Sequence, residues 1–356
     1  MFGILIILVG LVTALYLVQR QFIYFPTRQD LPQAELEAKQ RGLEPWLHEG
    51  QFIGWRAPYL AGNATGSVLV LHGNAGAAIH RTYFRNLFQS SALDARFDVY
   101  LLEYPGFGPR PGSPSEASLL QAADEAIMQL QQDSHKPILL VGESLGTVVA
   151  AIAGSRKPEA VQGMLLVTPF PNLPALARQH YPWLPAWFLR DGFRADKALA
   201  AFPGPVAFLL AGQDTIAPPG LGLAFFDGYP GTKRLWVEAD AGHNTLDYSP
   251  RRAVWREILA FCRGCLEQWH SIQKGRPLTP EEKAYILLVL KTWLGNQASH
   301  DDAPTPVQAE SLIGWWNKSR MSPHTAESLT QQPMKEAATE TFTDVRVTVD
   351  SNNIGW

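Results

Sequence analysis

The chain has 356 residues, of which 46% are hydrophobic and 18% are charged, and its net charge is −3. This length and apolar content suit one large α/β domain with appendages, and they exclude a chain that is disordered throughout. The near-neutral charge and the lack of a basic patch exclude a typical nucleic-acid-binding protein.

The chain begins with an uncharged and almost wholly apolar run over residues 2–18, which ends at Gln19 and Arg20. As a helix, a run of this length just reaches across the hydrocarbon core of a membrane. Tyr24 and Phe25 follow at the place where an interfacial aromatic belt would lie. A cleaved signal peptide is the main alternative, but its usual basic start and small-residue cleavage site are not visible here.

We therefore predict a single-pass transmembrane anchor over residues 1–20, which assigns the protein to the cell membrane. Arg20 and Arg28 follow the span, whereas only the amino terminus precedes it. Because positive charge favours the cytoplasmic side of a membrane, these residues predict a catalytic domain on the cytoplasmic side.

Beyond the anchor, short buried strands alternate with helices through a domain that we place at residues 21–270. Strands are predicted over residues 51–57, 67–71, 97–102, 137–141, 161–167, 205–210 and 233–238. Helices are predicted over residues 31–41, 77–90, 114–132, 145–155 and 250–270. This alternation predicts an α/β fold with a mostly parallel, doubly wound sheet. Functional sites in such sheets lie at the carboxyl ends of the strands.

The strand that ends near residue 141 is followed by a Gly-x-Ser-x-Gly turn, in which Ser144 stands between Gly142 and Gly146. A buried strand, this turn and an apolar helix together form the context that a nucleophile elbow requires. The glycines lack a Cβ, so the strand and the helix can approach closely. Alternatively, Ser144 only caps the helix in a tight strand–helix turn. We interpret Ser144 as a catalytic nucleophile.

A second glycine-rich turn, at residues 72–76, directly follows the strand at residues 67–71. Such a turn can present free backbone N–H groups, and in serine hydrolases it supplies half of the oxyanion hole. We predict an oxyanion hole from the N–H of Leu145 and the N–H of Asn74 or Ala75. The alternative is a glycine turn that merely leads into the next helix.

A serine nucleophile needs a base within hydrogen-bond reach, and the base needs an orienting acid. Among nine histidines, His243 alone occupies a turn after a late strand. Asp214 lies at an earlier strand end, so the chain order Ser144, Asp214, His243 is that of α/β-hydrolase triads. Asp240 is the alternative acid. The predicted chemistry requires no metal and no organic cofactor.

Residues 168–196 interrupt the alternation of strands and helices, and they are rich in proline and aromatic residues such as Trp183 and Trp187. This segment, called the insertion below, follows a strand and should overhang the site. We predict a small apolar lid that helps to bind an acyl chain. The alternative is a linker whose aromatic side chains merely pack.

The remaining chain predicts an additional helix over residues 271–295 and a polar, largely disordered tail over residues 296–356. Cys262 and Cys265 have C-x-x-C spacing late in a predicted helix, without a second Cys/His pair at ligand spacing. We interpret them as half-buried helix thiols rather than as a zinc or redox site.

Six short motifs can be compared with those of known families. They are FIYFPT at residues 22–27, LHGNAG at 71–76, YPGFG at 104–108, GESLG at 142–146, GQD at 212–214 and GHN at 242–244. With these motifs, the chain from Gln21 to about Trp269 resembles membrane-anchored serine hydrolases of the α/β-hydrolase superfamily. That group includes protein depalmitoylases and lysophospholipid or monoacylglycerol lipases. The extension after about Ser271 departs from the group, so a partner-binding role for it stays open.

The resemblance implies an α/β-hydrolase fold and an acyl ester or thioester substrate, such as a lipid or a lipidated protein. It also implies a triad of Ser144, Asp214 and His243. The leading hypothesis is a membrane-anchored serine esterase, thioesterase or lipase. A peptidase or amidase on the same fold and a non-catalytic membrane-anchored adaptor are the alternatives, and the intact order of the triad argues against the adaptor.

Overall fold

The computed structural model describes residues 2–134 and 136–273. The predicted tail and all but the first residues of the predicted additional helix lie outside the described residues. The described part contains ten strands: β1 (Phe25–Pro26), β2 (Glu44–His48), β3 (Gln51–Ala57), β4 (Gly66–Leu71), β5 (Ala75–Gly76), β6 (Phe97–Leu102), β7 (Ile138–Glu143), β8 (Val161–Val167), β9 (Val206–Ala211) and β10 (Lys233–Glu238).

The same part of the chain contains nine α-helices: α1 (Phe2–Val18), α2 (Leu31–Gln40), α3 (Thr82–Phe88), α4 (Glu116–Asp133), α5 (Leu145–Arg156), α6 (Leu173–His180), α7 (Ala195–Leu199), α8 (Pro219–Gly228) and α9 (Ala253–Gln273). Helix α9 passes the domain boundary that we predicted at residue 270.

An eight-stranded sheet lies at the centre of the fold, in the order β10-β9-β8-β7-β4-β6-β3-β2. The strands from β10 to β6 in this order pair in parallel, whereas β2 and β3 are antiparallel strands at one edge. The prediction of an α/β-hydrolase fold with a mostly parallel sheet is therefore confirmed.

Helices cover both faces of the sheet, as the alternation along β4 illustrates. Leu69 and Leu71 belong to the core cluster that includes α4 and α5. Val68 and Val70 belong to the cluster on the other face, which includes α3 and α9. Successive side chains of a strand point to opposite faces, so a wholly apolar strand predicts a sheet that is buried on both sides.

Before the site, the observed elements include three strands that were not predicted, β1, β2 and β5, and one predicted helix that is divided. Strand β2 contains Pro45, a residue that is disfavoured in the middle of a sheet. Proline is tolerated at a sheet edge, and β2 is the outermost strand. The helix predicted over residues 77–90 is divided into a 3-10 turn at Ala78–Arg81 and α3.

The insertion leaves the carboxyl end of β8 and contains α6 together with a 3-10 turn at Ala186–Phe188. Helix α6 begins where Asn172 accepts a hydrogen bond from the Ala175 N–H at 2.8 Å. Trp183 and Trp187 are both exposed. The insertion is therefore a folded element that presents aromatic side chains at the surface.

Helix α1 continues into a 3-10 turn at Gln19–Phe22. The window Ile4–Phe22 has a mean hydropathy of 1.8, and by length and composition it is apolar enough to span a membrane. Its side chains are largely exposed, unlike those of a core helix.

Cys262 lies in α9 and is fully buried against the apolar cluster that contains Trp236 and Trp255. Burial raises the pKa of its thiol to about 12, so the thiol is neutral at physiological pH and packs as a small apolar group. It is more deeply buried than the half-buried thiol that we predicted. The Cys265 side chain lies outside the described part of the structure.

Candidate active site

Ser144 stands at the turn between β7 and α5, with φ of 52° and ψ of −117°. This positive φ is strained for a residue with a Cβ. The turn is held by hydrogen bonds from the Ser144 N–H to the Val167 carbonyl and from the Thr147 N–H to the Ser144 carbonyl, both at 2.9 Å. The surrounding backbone therefore maintains a conformation that lifts the serine hydroxyl above the sheet.

The two glycines that flank Ser144 occupy sites with no room for a side chain. A Cβ on Gly146 would lie 1.8 Å from the carbonyl oxygen of Leu71 in β4, and one on Gly142 would lie 2.5 Å from the Gly146 carbonyl oxygen. Real Cβ atoms essentially never make contacts this short. The sharp turn from β7 to α5 therefore depends on glycine at both positions.

Two hydrogen bonds connect the predicted triad residues. His243 Nδ1 lies 2.7 Å from Asp214 Oδ2, and His243 Nε2 lies 2.9 Å from Ser144 Oγ. An ionised carboxylate can only accept, so in the neutral imidazole the proton is on Nδ1 and Nε2 is free to accept the serine proton. The structure thus brings together three side chains that are far apart in the sequence.

Asp214 is fixed by its own loop after β9. Its Oδ1 accepts hydrogen bonds from the Ile216 and Ala217 N–H groups, both at 2.8 Å, which leaves Oδ2 for the histidine. Its side chain is only 1% exposed. Asp240, the alternative acid, is exposed on the loop after β10. The geometry therefore favours Asp214 as the partner of His243.

The predicted oxyanion residues separate into two groups. Asn74 and Leu145 line the same cavity as Ser144. Leu145 is the first residue of α5, where a backbone N–H has no partner within the helix. Ala75 lies in β5 with an exposed side chain, outside the cavity lining. This placement favours the Asn74 N–H over the Ala75 N–H as the second donor.

Comparison with known proteins identifies the family to which the chain belongs. Residues 68–344 match the model of the alpha/beta hydrolase family. The chain belongs to the alpha/beta hydrolase family. A relative from Mycobacterium tuberculosis, uncharacterized protein Rv2307c, is 30% identical over 258 residues, which cover 71% of this chain and 90% of that protein.

Two further comparisons are more limited. Lysophosphatidylserine lipase ABHD12 of Danio rerio is 31% identical over 180 residues, which cover 45% of this chain and 46% of that protein. The solved structure of Est1E from Butyrivibrio proteoclasticus has a TM-score of 0.51 at 13% identity, over 64% of this chain and 99% of Est1E. Est1E supports the fold alone. The α/β-hydrolase resemblance is confirmed, whereas the depalmitoylase subgroup stays a prediction.

In this α/β hydrolase, the segment after α1 packs against the turn at residues 72–76, which carries two of the predicted oxyanion residues. Strand β1 pairs with β5, and the Phe25 N–H donates to the Asn74 carbonyl at 2.8 Å. The Asn74 side chain in turn donates to the Ile23 carbonyl at 2.8 Å. The motif at residues 22–27 and the motif at residues 71–76 are therefore two sides of one contact, which the sequence did not reveal.

Glu143, next to Ser144, lies at the centre of a polar cluster that was not predicted. Arg81 Nε donates to Glu143 Oε2 at 2.9 Å, while the Tyr83 and Tyr248 hydroxyls donate to Oε1. Burial alone would raise the pKa of Glu143, but the charge of Arg81 and these hydrogen bonds lower it below its usual value. The cluster joins the elbow to α3 and to the loop that carries His243.

Glu143→Gln is expected to destabilise the protein by roughly 2 kcal/mol at neutral pH, since it leaves a largely buried guanidinium without its counter-charge. Because folding lowers the pKa of Glu143, its carboxylate stabilises the fold above the unfolded-state pKa of about 4.3. This contribution is lost as the pH falls toward the folded-state value. The difference in unfolding free energy between wild type and variant should therefore shrink below about pH 4.

Denaturant unfolding of the detergent-solubilised protein at a series of pH values measures this difference. Glu159→Gln is the matched control, because Glu159 is exposed. Equal stability of wild type and Glu143→Gln at neutral pH would contradict the prediction.

A mostly apolar cavity of about 480 Å³ opens above Ser144. The insertion supplies much of its wall, including Leu173, Leu176, Tyr181, Trp183, Leu184 and Phe188. Trp183 thus contacts the cavity, whereas the exposed Trp187 lies outside its lining. The volume lies within the range of small-molecule sites, and the action of the insertion as a lid stays a prediction.

Helix α1 and the segment that follows it also contribute to this cavity, through Leu15, Gln19, Phe22 and Ile23. In the sequence, these four residues are separated by four, three and one positions, and such spacing groups side chains on one face of a helix. This spacing was the one sequence signal for the contact. An apolar helix has no visible polar face, so the pattern could not be distinguished from a lipid-facing surface.

Proposed function

We propose that this protein is a membrane-anchored serine hydrolase that cleaves carboxylic acyl esters or thioesters. The observation that carries the proposal is the continuous line of hydrogen bonds from Asp214 through His243 to Ser144, at 2.7 and 2.9 Å. A neutral serine is a poor nucleophile, and a base at this distance makes it reactive. No other group among the described residues contacts Ser144 Oγ as a base.

In the first step, His243 Nε2 takes the proton of Ser144 Oγ as that oxygen bonds to the acyl carbon. Asp214 keeps the other imidazole proton on Nδ1 and stabilises the imidazolium that forms. The N–H groups of Leu145 and Asn74 would hold the oxyanion, where one such donor is typically worth about 3 kcal/mol. The imidazolium then protonates the leaving alcohol or thiol, and the carbon–oxygen or carbon–sulfur bond breaks.

In the second step, water attacks the acyl-enzyme and gives one proton to His243 Nε2. The tetrahedral intermediate collapses, the bond to Ser144 Oγ breaks, and that oxygen recovers the proton from the imidazolium. The products are a carboxylic acid and the regenerated enzyme. The chain's own side chains thus balance every proton in the cycle.

The apolar cavity above Ser144 supports an acyl group as the part of the substrate that is bound there. The relative from Danio rerio, which is a lysophosphatidylserine lipase, supports the same class of bond. The length and apolar character of α1 support its role as the membrane anchor. The charges of Arg20 and Arg28 favour a domain on the cytoplasmic side.

A fluorophosphonate probe tests the proposal, because it reacts only with an activated serine. We expect stoichiometric labelling of the folded wild-type protein at Ser144, and complete loss of labelling in Ser144→Ala. Ser155→Ala, a change in the same helix α5, should leave labelling unchanged. Labelling that persists in Ser144→Ala, or that never occurs in folded wild-type protein, would refute a nucleophilic Ser144.

A further inference from the structure

We propose that the membrane anchor forms one wall of the acyl-chain site, so that the chain reaches Ser144 directly from the bilayer. This inference deepens the proposed function and rests on it, since Ser144 must be the nucleophile and α1 must lie in a membrane. It assigns the substrate to long acyl chains of esters or thioesters that are already seated in the bilayer.

The cavity wall itself is the first observation. Leu15 and Gln19 lie four residues apart on one face of the N-terminal helical segment, and both line the cavity together with Ser144. The facing wall comes from the insertion, through Leu184 and Phe188 among others. A chain bound above Ser144 therefore lies between the anchor and the insertion.

The position of Leu15 along α1 sets the depth of this wall. Leu15 lies before Val18, the last residue of α1, by about 4.5 Å at 1.5 Å per residue. The apolar run ends at the same residue, so Val18 marks the edge of the hydrocarbon layer. The cavity wall thus extends below that edge, to the level that the acyl chains of the lipids occupy.

A buried glutamine fixes the anchor to the insertion. Gln19 Nε2 donates to the Phe188 carbonyl at 3.1 Å, and the Arg190 N–H donates to Gln19 Oε1 at 2.8 Å. The Tyr16 and Phe188 rings also make an edge-to-face contact, with their centroids 5.6 Å apart. Both ends of the amide are therefore bonded, and the anchor is not joined to the domain by a flexible linker.

An ion pair between the partly exposed Arg20 and the buried Asp191 strengthens the same joint. Arg20 Nε and Nη2 donate to the two carboxylate oxygens of Asp191 at 2.9 and 2.8 Å. The Tyr24 hydroxyl donates to Asp191 Oδ2 at 2.9 Å. A bidentate pair sets both distance and orientation, so the fold fixes the position of the cavity relative to helix α1.

Exposed aromatic side chains surround this joint. Phe22, Tyr181, Trp183 and Trp187 are all exposed, and three of them line the cavity. Exposed aromatic residues next to a membrane span are typical of the membrane–water interface. An acyl chain that passes between them moves from one apolar environment to another, without the cost of exposing it to water.

The test is Leu15→Trp in the full-length protein, which places a larger side chain at the cavity wall. We expect the ratio of kcat/KM for p-nitrophenyl laurate to kcat/KM for p-nitrophenyl acetate to fall at least about tenfold. Leu17→Trp is the matched control, because Leu17 is exposed at nearly the same depth and outside the cavity lining. An unchanged ratio of laurate to acetate activity in Leu15→Trp would overturn the inference.

The acetate measurement separates this failure from a failure of the proposed function. If wild-type protein hydrolyses acetate and the ratio does not change, only the anchor wall is wrong. If wild-type protein neither hydrolyses acetate nor reacts with a fluorophosphonate, the proposed function itself is wrong.

A photoreactive probe maps the chain directly. An alkyl fluorophosphonate with a diazirine near the end of its chain reacts with Ser144 in phosphatidylcholine vesicles, with loss of fluoride, and is then irradiated. We expect cross-links in the peptide that contains residues 15–23. Cross-links confined to residues 170–216 would overturn the inference.

Two substrates in the same vesicles distinguish the sources of the chain, namely a monoacylglycerol and an S-palmitoylated peptide. We expect wild-type protein to hydrolyse one of these two substrates, and Leu15→Trp but not Leu17→Trp to lose that activity. The substrate that behaves in this way identifies the leaving group as an alcohol or a thiol. Hydrolysis of both that is insensitive to Leu15→Trp would again exclude an anchor wall.

Discussion

Asp214→Asn is expected to lower kcat for a short acyl ester by about 10⁴-fold, with little change in stability. An asparagine keeps the shape of the side chain, but its amide can donate to His243 Nδ1 and so favours the wrong tautomer of the imidazole. The variant also lacks the negative charge that stabilises the imidazolium in the transition state. Steady-state kinetics with p-nitrophenyl acetate measures the loss.

Asp240→Asn is the matched control for this prediction. Asp240 also lies on a loop near His243 in the sequence, but its side chain is exposed, whereas that of Asp214 is almost fully buried. We expect a change in kcat of less than about twofold, as for a typical surface substitution. The reverse outcome, a large loss in Asp240→Asn and little in Asp214→Asn, would reassign the acid to Asp240.

Gly146→Ala is expected to destabilise the fold by at least about 4 kcal/mol, a large fraction of the stability of a typical domain. The new Cβ would meet the Leu71 carbonyl oxygen at 1.8 Å. Leu71 lies in the central strand β4 and pairs with β6 on one side and β7 on the other. The Leu71 backbone cannot move away from the new Cβ without breaking hydrogen bonds in the middle of the sheet. The clash therefore cannot be relieved by a small shift, as a clash with a flexible side chain could be.

The yield of folded protein, its thermal unfolding and its fluorophosphonate labelling measure this effect. Gly220→Ala is the control, since Gly220 lies in α8 and a Cβ there has nothing within 4 Å. We expect that change to be neutral or stabilising by up to about 1 kcal/mol. A Gly146→Ala variant that unfolds close to the wild-type temperature would show that the elbow tolerates a side chain.

The strands of the sheet were predicted well because each one is a short apolar run that is bounded by turn residues. β3, β6, β8 and β10 have the predicted limits. Helix α8 was missed, because Pro219, Gly220 and Gly222 are poor helix formers. Its buried Phe225 and Phe226 pack in the core near β9, so tertiary packing stabilises a helix that local propensity disfavours.

The candidate site was predictable where function requires a local backbone shape. The turn around Ser144 needs glycines at fixed spacing, and this spacing can be recognised directly in the sequence. The cluster of Glu143, Arg81, Tyr83 and Tyr248 was not predictable, because common residue types from three separate segments meet only in the folded chain. Nothing in their local sequence distinguishes them from surface residues.

The amino-acid sequence by itself determined the class of the fold, the elbow at Ser144 and the chain order of the candidate triad. These features depend on hydrophobic period and on glycine, which act over a few residues. Only the tertiary structure decided that Asp214 rather than Asp240 contacts His243, and that α1 and the insertion enclose one cavity. Those contacts join residues such as Gln19 and Phe188, whose proximity depends on the packing of the whole domain rather than on local propensity.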